Sequence, residues 1–200
     1  MFPRLPRARF VRTLFAAIAF FSPVAQTVRG QSSSSSVTDL DGHALDPFHR
    51  AAGKIVVLLF VRTDCPLTNR YAPELQRISA EFSSRGVDFW LVYPDPAEST
   101  TAIENHIAEY HLPGTAVRDP QHRLVSRAEA TVAPQAALFD AAGRLVYTGR
   151  IDDRFVEFGK SRPAPRTHDL EDAMSALLAG KTVSTAKTRA IGCFLADVKP

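Results

Sequence analysis

The spacing of apolar positions changes along this chain, and each change marks an element. Residues 54–61 read KIVVLLFV, a continuous apolar and β-branched run bounded by Gly53 and the polar Arg62-Thr63-Asp64. A run without alternation fits a strand buried on both faces. The period then becomes helical: Tyr71, Leu75, Ile78 and Phe82 follow at spacings of four, three and four and share one face. Gly86 is placed to end that helix. Val87–Tyr93 (VDFWLVY) is the next strand, closed by Pro94 and Pro96. Residues 99–110 predict a second helix with Ile103, Ile107 and Tyr110 on one face, followed by a short strand at 116–117 and a helix over 121–130. Residues 136–139 and 145–147 flank an Ala142-Gly143 turn and predict a β-hairpin. Residues 152–166 read as a polar, Pro-bearing loop, and 169–178 as a last helix stopped by Gly180. Upstream, residues 37–45 place apolar positions on either side of Asp41-Gly42, the pattern of a short hairpin.

Strand, helix, strand, helix, hairpin, helix requires parallel pairing with crossover helices in the first half and antiparallel strands in the second. The expected class is α/β, a mixed central sheet with helices on both faces. That domain spans 37–180. A tail, 181–200, follows.

The first 36 residues have a different pattern. Arg4, Arg7, Arg9 and Arg12 precede an apolar run from Leu14 to Ala25 that only Ser22 and Pro23 interrupt. A basic start, a short apolar stretch and a small-residue exit describe a secretory signal peptide, assigned to residues 1–30, with Gly30 or Ala25 as the cleavage point. The run is shorter and more broken than the roughly 20 apolar residues of a membrane span, and an uncleaved anchor is the alternative. Residues 31–36 are a Ser-rich linker. The expected location is therefore outside the cytoplasm, periplasmic or secreted, with no stable membrane span after cleavage.

This assignment changes the meaning of the charge. The chain carries 24 basic and 21 acidic residues. All five charges in residues 1–30 are arginines, so removing them leaves 19 basic against 21 acidic residues, a net of −2. A near-neutral mature chain has no electrostatic footprint for nucleic acid or an anionic membrane.

Two cysteines remain, Cys65 and Cys193, too few for a disulfide-built scaffold in a chain of this size but enough for one structural bridge or one redox pair. Cys65 stands between the buried strand and the long helix. Unpaired N–H groups and the dipole at a helix start favour an anion, and the thiolate is the nucleophile of disulfide exchange and peroxide reduction. Pro66 suits the first helical turn, where its missing N–H costs nothing.

Cys65-Pro-Leu-Thr68 after a buried strand, then Ala72-Pro73, resembles the active-site segment of thioredoxin-like proteins, in which the cysteine opens a helix kinked by a proline eight residues on. Thr131-Val-Ala-Pro-Gln-Ala-Ala-Leu-Phe-Asp140 resembles the family's segment in which a cis proline faces that cysteine; Pro134 takes this place. Arg62-Thr-Asp-Cys-Pro66, Gly149-Arg-Ile-Asp-Asp-Arg154 and Gly192-Cys193 are similar to an exported redoxin group related to the alkyl hydroperoxide reductase and thiol-specific antioxidant class. The resemblance covers about residues 37–180. It implies a thioredoxin-like fold and a thiol–disulfide oxidoreductase with Cys65 as nucleophile. Ala133 and Pro134 would shape the substrate groove, leaving backbone groups for strand-like pairing with a bound peptide. Arg62, Thr63 and Thr68 support the site. The implied partners are protein thiols and disulfides or an external thiol reductant, with no cofactor and no metal.

Three departures shape the alternatives. Thr68 occupies the place of the second cysteine of a local dithiol, so no Cys-x-x-Cys bridge forms. Arg62, rather than threonine, stands three residues before Cys65, against a peroxidase of the peroxiredoxin kind. Asn69 stands where copper-delivering relatives have a second cysteine, against a Cu(I)-binding assembly factor. A non-catalytic redoxin-fold protein is the remaining alternative. For Cys193 three roles stay open: a resolving thiol, a permanent staple of the tail, which would add about 4 to 5 kcal/mol across so long a loop in the chain-entropy model, or a thiol that never meets Cys65. Asn69 is read as a solvated or site-facing residue, Tyr71 as core, and Asp152-Asp153 as part of a solvated loop.

Overall fold

The unalternating run becomes the middle of the sheet. The computed structural model describes residues 36–195; the expected signal peptide, all of the Ser-rich linker but its last residue, and the final five residues of the tail lie outside that range. In chain order the elements are β1 (Val37–Thr38), β2 (Ala44–Leu45), α1 (Pro47–Arg50), β3 (Ile55–Phe60), α2 (Pro66–Ser83), β4 (Val87–Tyr93), α3 (Thr100–Tyr110), β5 (Thr115–Arg118), α4 (Arg123–Ala128), β6 (Val132–Ala133), β7 (Gln135–Phe139), β8 (Leu145–Gly149), β9 (Phe155–Glu157), β10 (Lys160–Ser161), α5 (Asp169–Leu178) and β11 (Cys193–Phe194).

Seven strands form one sheet in the order β2-β1-β5-β4-β3-β7-β8. β3 pairs parallel with β4 and antiparallel with β7, so both of its edges are filled. β4 pairs parallel with β5, and β7 and β8 form the antiparallel hairpin. The α/β class, with a mixed sheet and a helical layer on each face, is as expected. Because side chains of a strand alternate between faces, β3 feeds two cores. Val57 and Leu59 pack with Leu75, Ile78 and Phe82 of α2, Ile103 of α3 and Met174 of α5. Val56, Leu58 and Phe60 pack on the other face with Trp90, Leu124, Val125 and Ala128.

Three expectations need correction. The helix of 121–130 is shortened to Arg123–Ala128, because His122 and Glu129 both adopt left-handed backbone. Asp119 supplies the cap instead: its carboxylate accepts from the N–H groups of Arg123, Leu124 and Val125 at 2.8 to 3.0 Å. The polar stretch 152–166 holds the small β9–β10 ladder rather than being loop throughout. Asp152 and Asp153 are buried, not solvated.

The tail folds back along the sheet. Thr148 donates to the carbonyl of Ala186 and accepts from Thr188 N–H, forming a bridge beside β8. The Thr188 hydroxyl meets Tyr147 Oη at 2.7 Å and accepts from Arg150 N–H at 3.1 Å. Any Cβ at Gly149 would strike Thr188, which explains glycine there. Farther on, β11 pairs antiparallel with β6, and Leu195, buried, donates its N–H to the carbonyl of Thr131. Among the described residues no helix is long and apolar enough to cross a membrane.

Candidate thiol site

Cys65 is held by the junction between the buried strand and the long helix. It is the N-cap of α2, with extended backbone, and Pro66 fills the first helical position. Its side chain does not cap the helix. It turns toward β6, where Sγ lies 3.0 Å from the carbonyl oxygen of Ala133. Cys65 is 0% exposed. The Ala133–Pro134 peptide is cis, and β7 starts directly after it.

What covers Cys65 is the tail. Cys193 sits opposite Ala133 in the β6–β11 ladder, and its Sγ lies 2.7 Å from Sγ of Cys65. Both are free thiols. The backbone at Ala133, expected with Pro134 to leave groups for a bound peptide, is therefore paired with the protein's own tail, as is that of Val132. Gly192 makes the approach possible: a Cβ there would lie 2.6 Å from the Ala133 carbonyl carbon and 3.1 Å from Pro134 N. Strand alternation sends Cys193 toward Cys65 and Phe194 to the opposite side. Phe194 and the backbone of Gly192 line a cleft of about 640 Å³ with Val132, Ile191 and Phe158.

The two thiols differ in exposure. Cys193 is partly exposed. Burial, then its hydrogen bond to Cys65 and the proximity of that sulfur, push the Cys193 thiol up to about 12; Asp64 acts in the same direction and Arg62 against it. At neutral pH Cys193 therefore keeps its proton and donates it toward Cys65 Sγ.

The supporting residues divide by role. Arg62 is bidentate to Asp64 at 2.9 and 3.0 Å, pairs with Asp95 at 3.3 Å and donates to the carbonyl of Phe194 at 2.9 Å. Its charge is thus shared between two carboxylates, and it ties the cysteine loop to the tail. Thr63 contributes its backbone: its N–H donates to Glu98 Oε1 at 2.6 Å. Burial pushes the Glu98 carboxyl pKa up, against the Thr63 N–H, which lowers it, and its other oxygen is buried without a hydrogen-bond partner. Thr68 is fully buried one turn after Cys65, and its hydroxyl also lacks a partner. Ala133 meets Cys65 through its carbonyl and Cys193 through the ladder, and Pro134 follows it across the cis peptide.

Polar braces behind the site went unread in the sequence. The Tyr71 hydroxyl donates to Asp152 Oδ1 at 2.6 Å, an oxygen that also accepts from Arg154 N–H at 2.8 Å. Burial first, and then this carboxylate, push the Tyr71 hydroxyl upward. Tyr71 is in the core, as expected, but it carries this bond with it. His106, buried, joins Tyr93 Oη at 3.0 Å to Asn69 Oδ1 at 2.8 Å. Burial lowers its pKa, so the neutral ring is favoured and its two nitrogens serve one acceptor and one donor role. Asn69 is thereby tied into the interior. Glu98 and Asp95 gave no signal either: they lie in a Pro-flanked turn, and only the fold brings that turn to residue 63. Among the described residues, the two groups of three that could hold a cation, Asp39 with Asp41 and His43, and Glu74 with His168 and Glu171, include neither cysteine. Arg77 already pairs with both Glu74 and Glu171.

Comparison with known proteins gives the site its context. The fold is similar to that of an uncharacterized conserved protein from Geobacillus kaustophilus, with a TM-score of 0.70 and 23% identity over 82% of this chain and 88% of that one. It is also similar to a hypothetical protein from Sinorhizobium meliloti 1021, with a TM-score of 0.67 and 20% identity over 82% and 91% of the two chains. MTB dsbF, solved in mixed oxidized and reduced forms, matches with a TM-score of 0.52 and 22% identity over 71% and 93%. These likenesses show the thioredoxin-like fold. No curated protein matches the sequence. The family described as Redoxin matches residues 25–157, a stretch that includes Cys65, Ala133 and Pro134, and this match supports a redox function. The chain belongs to the Redoxin family.

Proposed function

We propose that this protein is an exported thiol–disulfide oxidoreductase in which Cys65 and Cys193 cycle between a dithiol and an intramolecular bridge. One observation carries the reading: two sulfurs 128 residues apart in sequence lie 2.7 Å apart against the Ala133 carbonyl. Bridge formation releases two electrons and two protons to a substrate disulfide or other thiol-reactive oxidant, and an external thiol pair returns them. The start of an 18-residue helix favours negative charge on the Cys65 sulfur during exchange. Cys193 completes the pair that Thr68 cannot supply. The alternation of basic, apolar and small residues over 1–30 supports export into a compartment where such a couple operates.

The test is catalysed reduction of a disulfide substrate such as insulin by dithiothreitol. The wild type is expected to accelerate it, and Cys65→Ser to reduce the rate to that of the uncatalysed reaction. A Cys65→Ser protein with wild-type activity overturns the proposal.

A further inference from the structure

We propose that external thiols exchange with the oxidised protein at Cys193, not at Cys65, so that the tail cysteine forms the mixed disulfide with the partner. The proposal rests on the redox-pair reading above and adds to it the atom at which electrons arrive.

Access separates the two sulfurs. A thiolate must reach a sulfur in line with the bond it breaks. Cys65 is 0% exposed. The Ala133 carbonyl lies on one side of its sulfur and Cys193 on another. Cys193 is partly exposed. The cover over Cys65 is anchored at both ends. Thr188 is tied to Tyr147, Thr148 and Arg150 before it, and Leu195 is buried and bonded to Thr131 after it. Because the two sulfurs are in contact as dithiols, closing the bridge needs only a small shift, and the cover stays in place in the oxidised protein.

The leaving group separates them as well. Attack at Cys193 forms the partner–Cys193 bond, breaks the Cys193–Cys65 bond and sends the electron pair to Cys65 Sγ, which departs as a thiolate at a helix N-terminus. Attack at Cys65 would instead expel Cys193, which stands on a two-residue strand with no helix N-terminus behind it. A second external thiolate then attacks the partner sulfur of the mixed disulfide, forming the partner disulfide and releasing Cys193, which takes up a proton. Two external thiols are oxidised and one bridge is reduced.

The wild-type protein, oxidised to the bridged form, is treated with limiting 2-mercaptoethanol. It is quenched at short times with N-ethylmaleimide in acid, and each cysteine peptide is mapped by mass. The expected pattern is mercaptoethanol on Cys193 with maleimide on Cys65, at least ten-fold over the reverse. Equal amounts, or mercaptoethanol chiefly on Cys65, overturn the proposal while leaving the redox pair intact. A protein that never forms the bridge overturns both. Gly192→Ala is the steric check, since its Cβ would push the tail off Ala133. Adducts at Cys65 should rise several-fold in this variant. An unchanged ratio would show that the cover does not select the sulfur.

Discussion

The two cysteines are positioned by opposite means. Cys65 inherits its place from the most buried part of the molecule. β3 is paired along both edges, and α2 buries Leu67, Tyr71, Ala72, Leu75, Ile78 and Phe82 against it. Cys193 stands on a strand of two residues, in a tail whose hold depends on a few bonds at Thr188 and Leu195 and on the absence of a side chain at Gly192. Moving Cys65 requires disturbing the core. Moving Cys193 requires only loosening the tail. A thiol pair built this way has one fixed member and one that can be exchanged, covered or withdrawn at small cost to the fold.

The sharpest way to break that contrast is to damage each side separately. Phe60, fully buried at the end of β3, should cost about 3–5 kcal/mol of global stability as Phe60→Ala, from lost transfer energy and the cavity left behind. Denaturant unfolding of the reduced protein measures this. Leu195→Ala should cost less, about 2 kcal/mol, the lower end for a buried leucine, because the tail can relax around it. Its effect should appear locally, as faster alkylation of Cys65, while Phe60→Ala changes the whole transition. Equal global losses would contradict the division into a fixed and a loosely held cysteine.

The smallest effect is in pH. The folded-state pKa of Cys193, about 12, lies above its ordinary value of 9.0. A group raised on folding gives stability that is fully present below the unfolded value and lost as pH rises toward the folded one. The reduced protein should therefore lose melting temperature between about pH 9 and 12, and Cys193→Ser should flatten that loss. The flattening will be partial, since the buried Tyr71, Tyr93 and Tyr147 are shifted in the same direction. An identical slope in Cys193→Ser would mean that its proton is not held by the fold.

What the sequence revealed follows from the range over which each signal acts. Val87–Tyr93 and Asp169–Leu178 have the bounds their residue patterns predict, because apolar period and terminating prolines or glycine are local. Cys65 was readable for the same reason: a strand-to-helix corner is visible within about ten residues. Cys193 was a candidate by its residue type, but its contact with Cys65 was not legible. Nothing near Cys193 marks residues 193–194 as a strand, and their ladder with Val132–Ala133 joins segments about 60 residues apart. Asp152 and Asp153 carry no local signal of burial, because charge in a loop usually means solvent. Burial of a carboxylate depends on donors that only the fold supplies, here Tyr71 and Arg154 for one and Arg162, Arg166 and Thr167 for the other.

The proposed function requires Cys65 and Cys193 to form one reversible redox couple. A redox titration of the protein, with thiols mass-tagged and counted at each potential, tests it most directly. The account predicts that both thiols disappear together, within one molecule and reversibly, at a potential in the range of catalytic dithiols, about −120 to −270 mV. Loss of the two thiols in separate steps, or a bridge that resists reduction below about −300 mV as structural disulfides do, would contradict it.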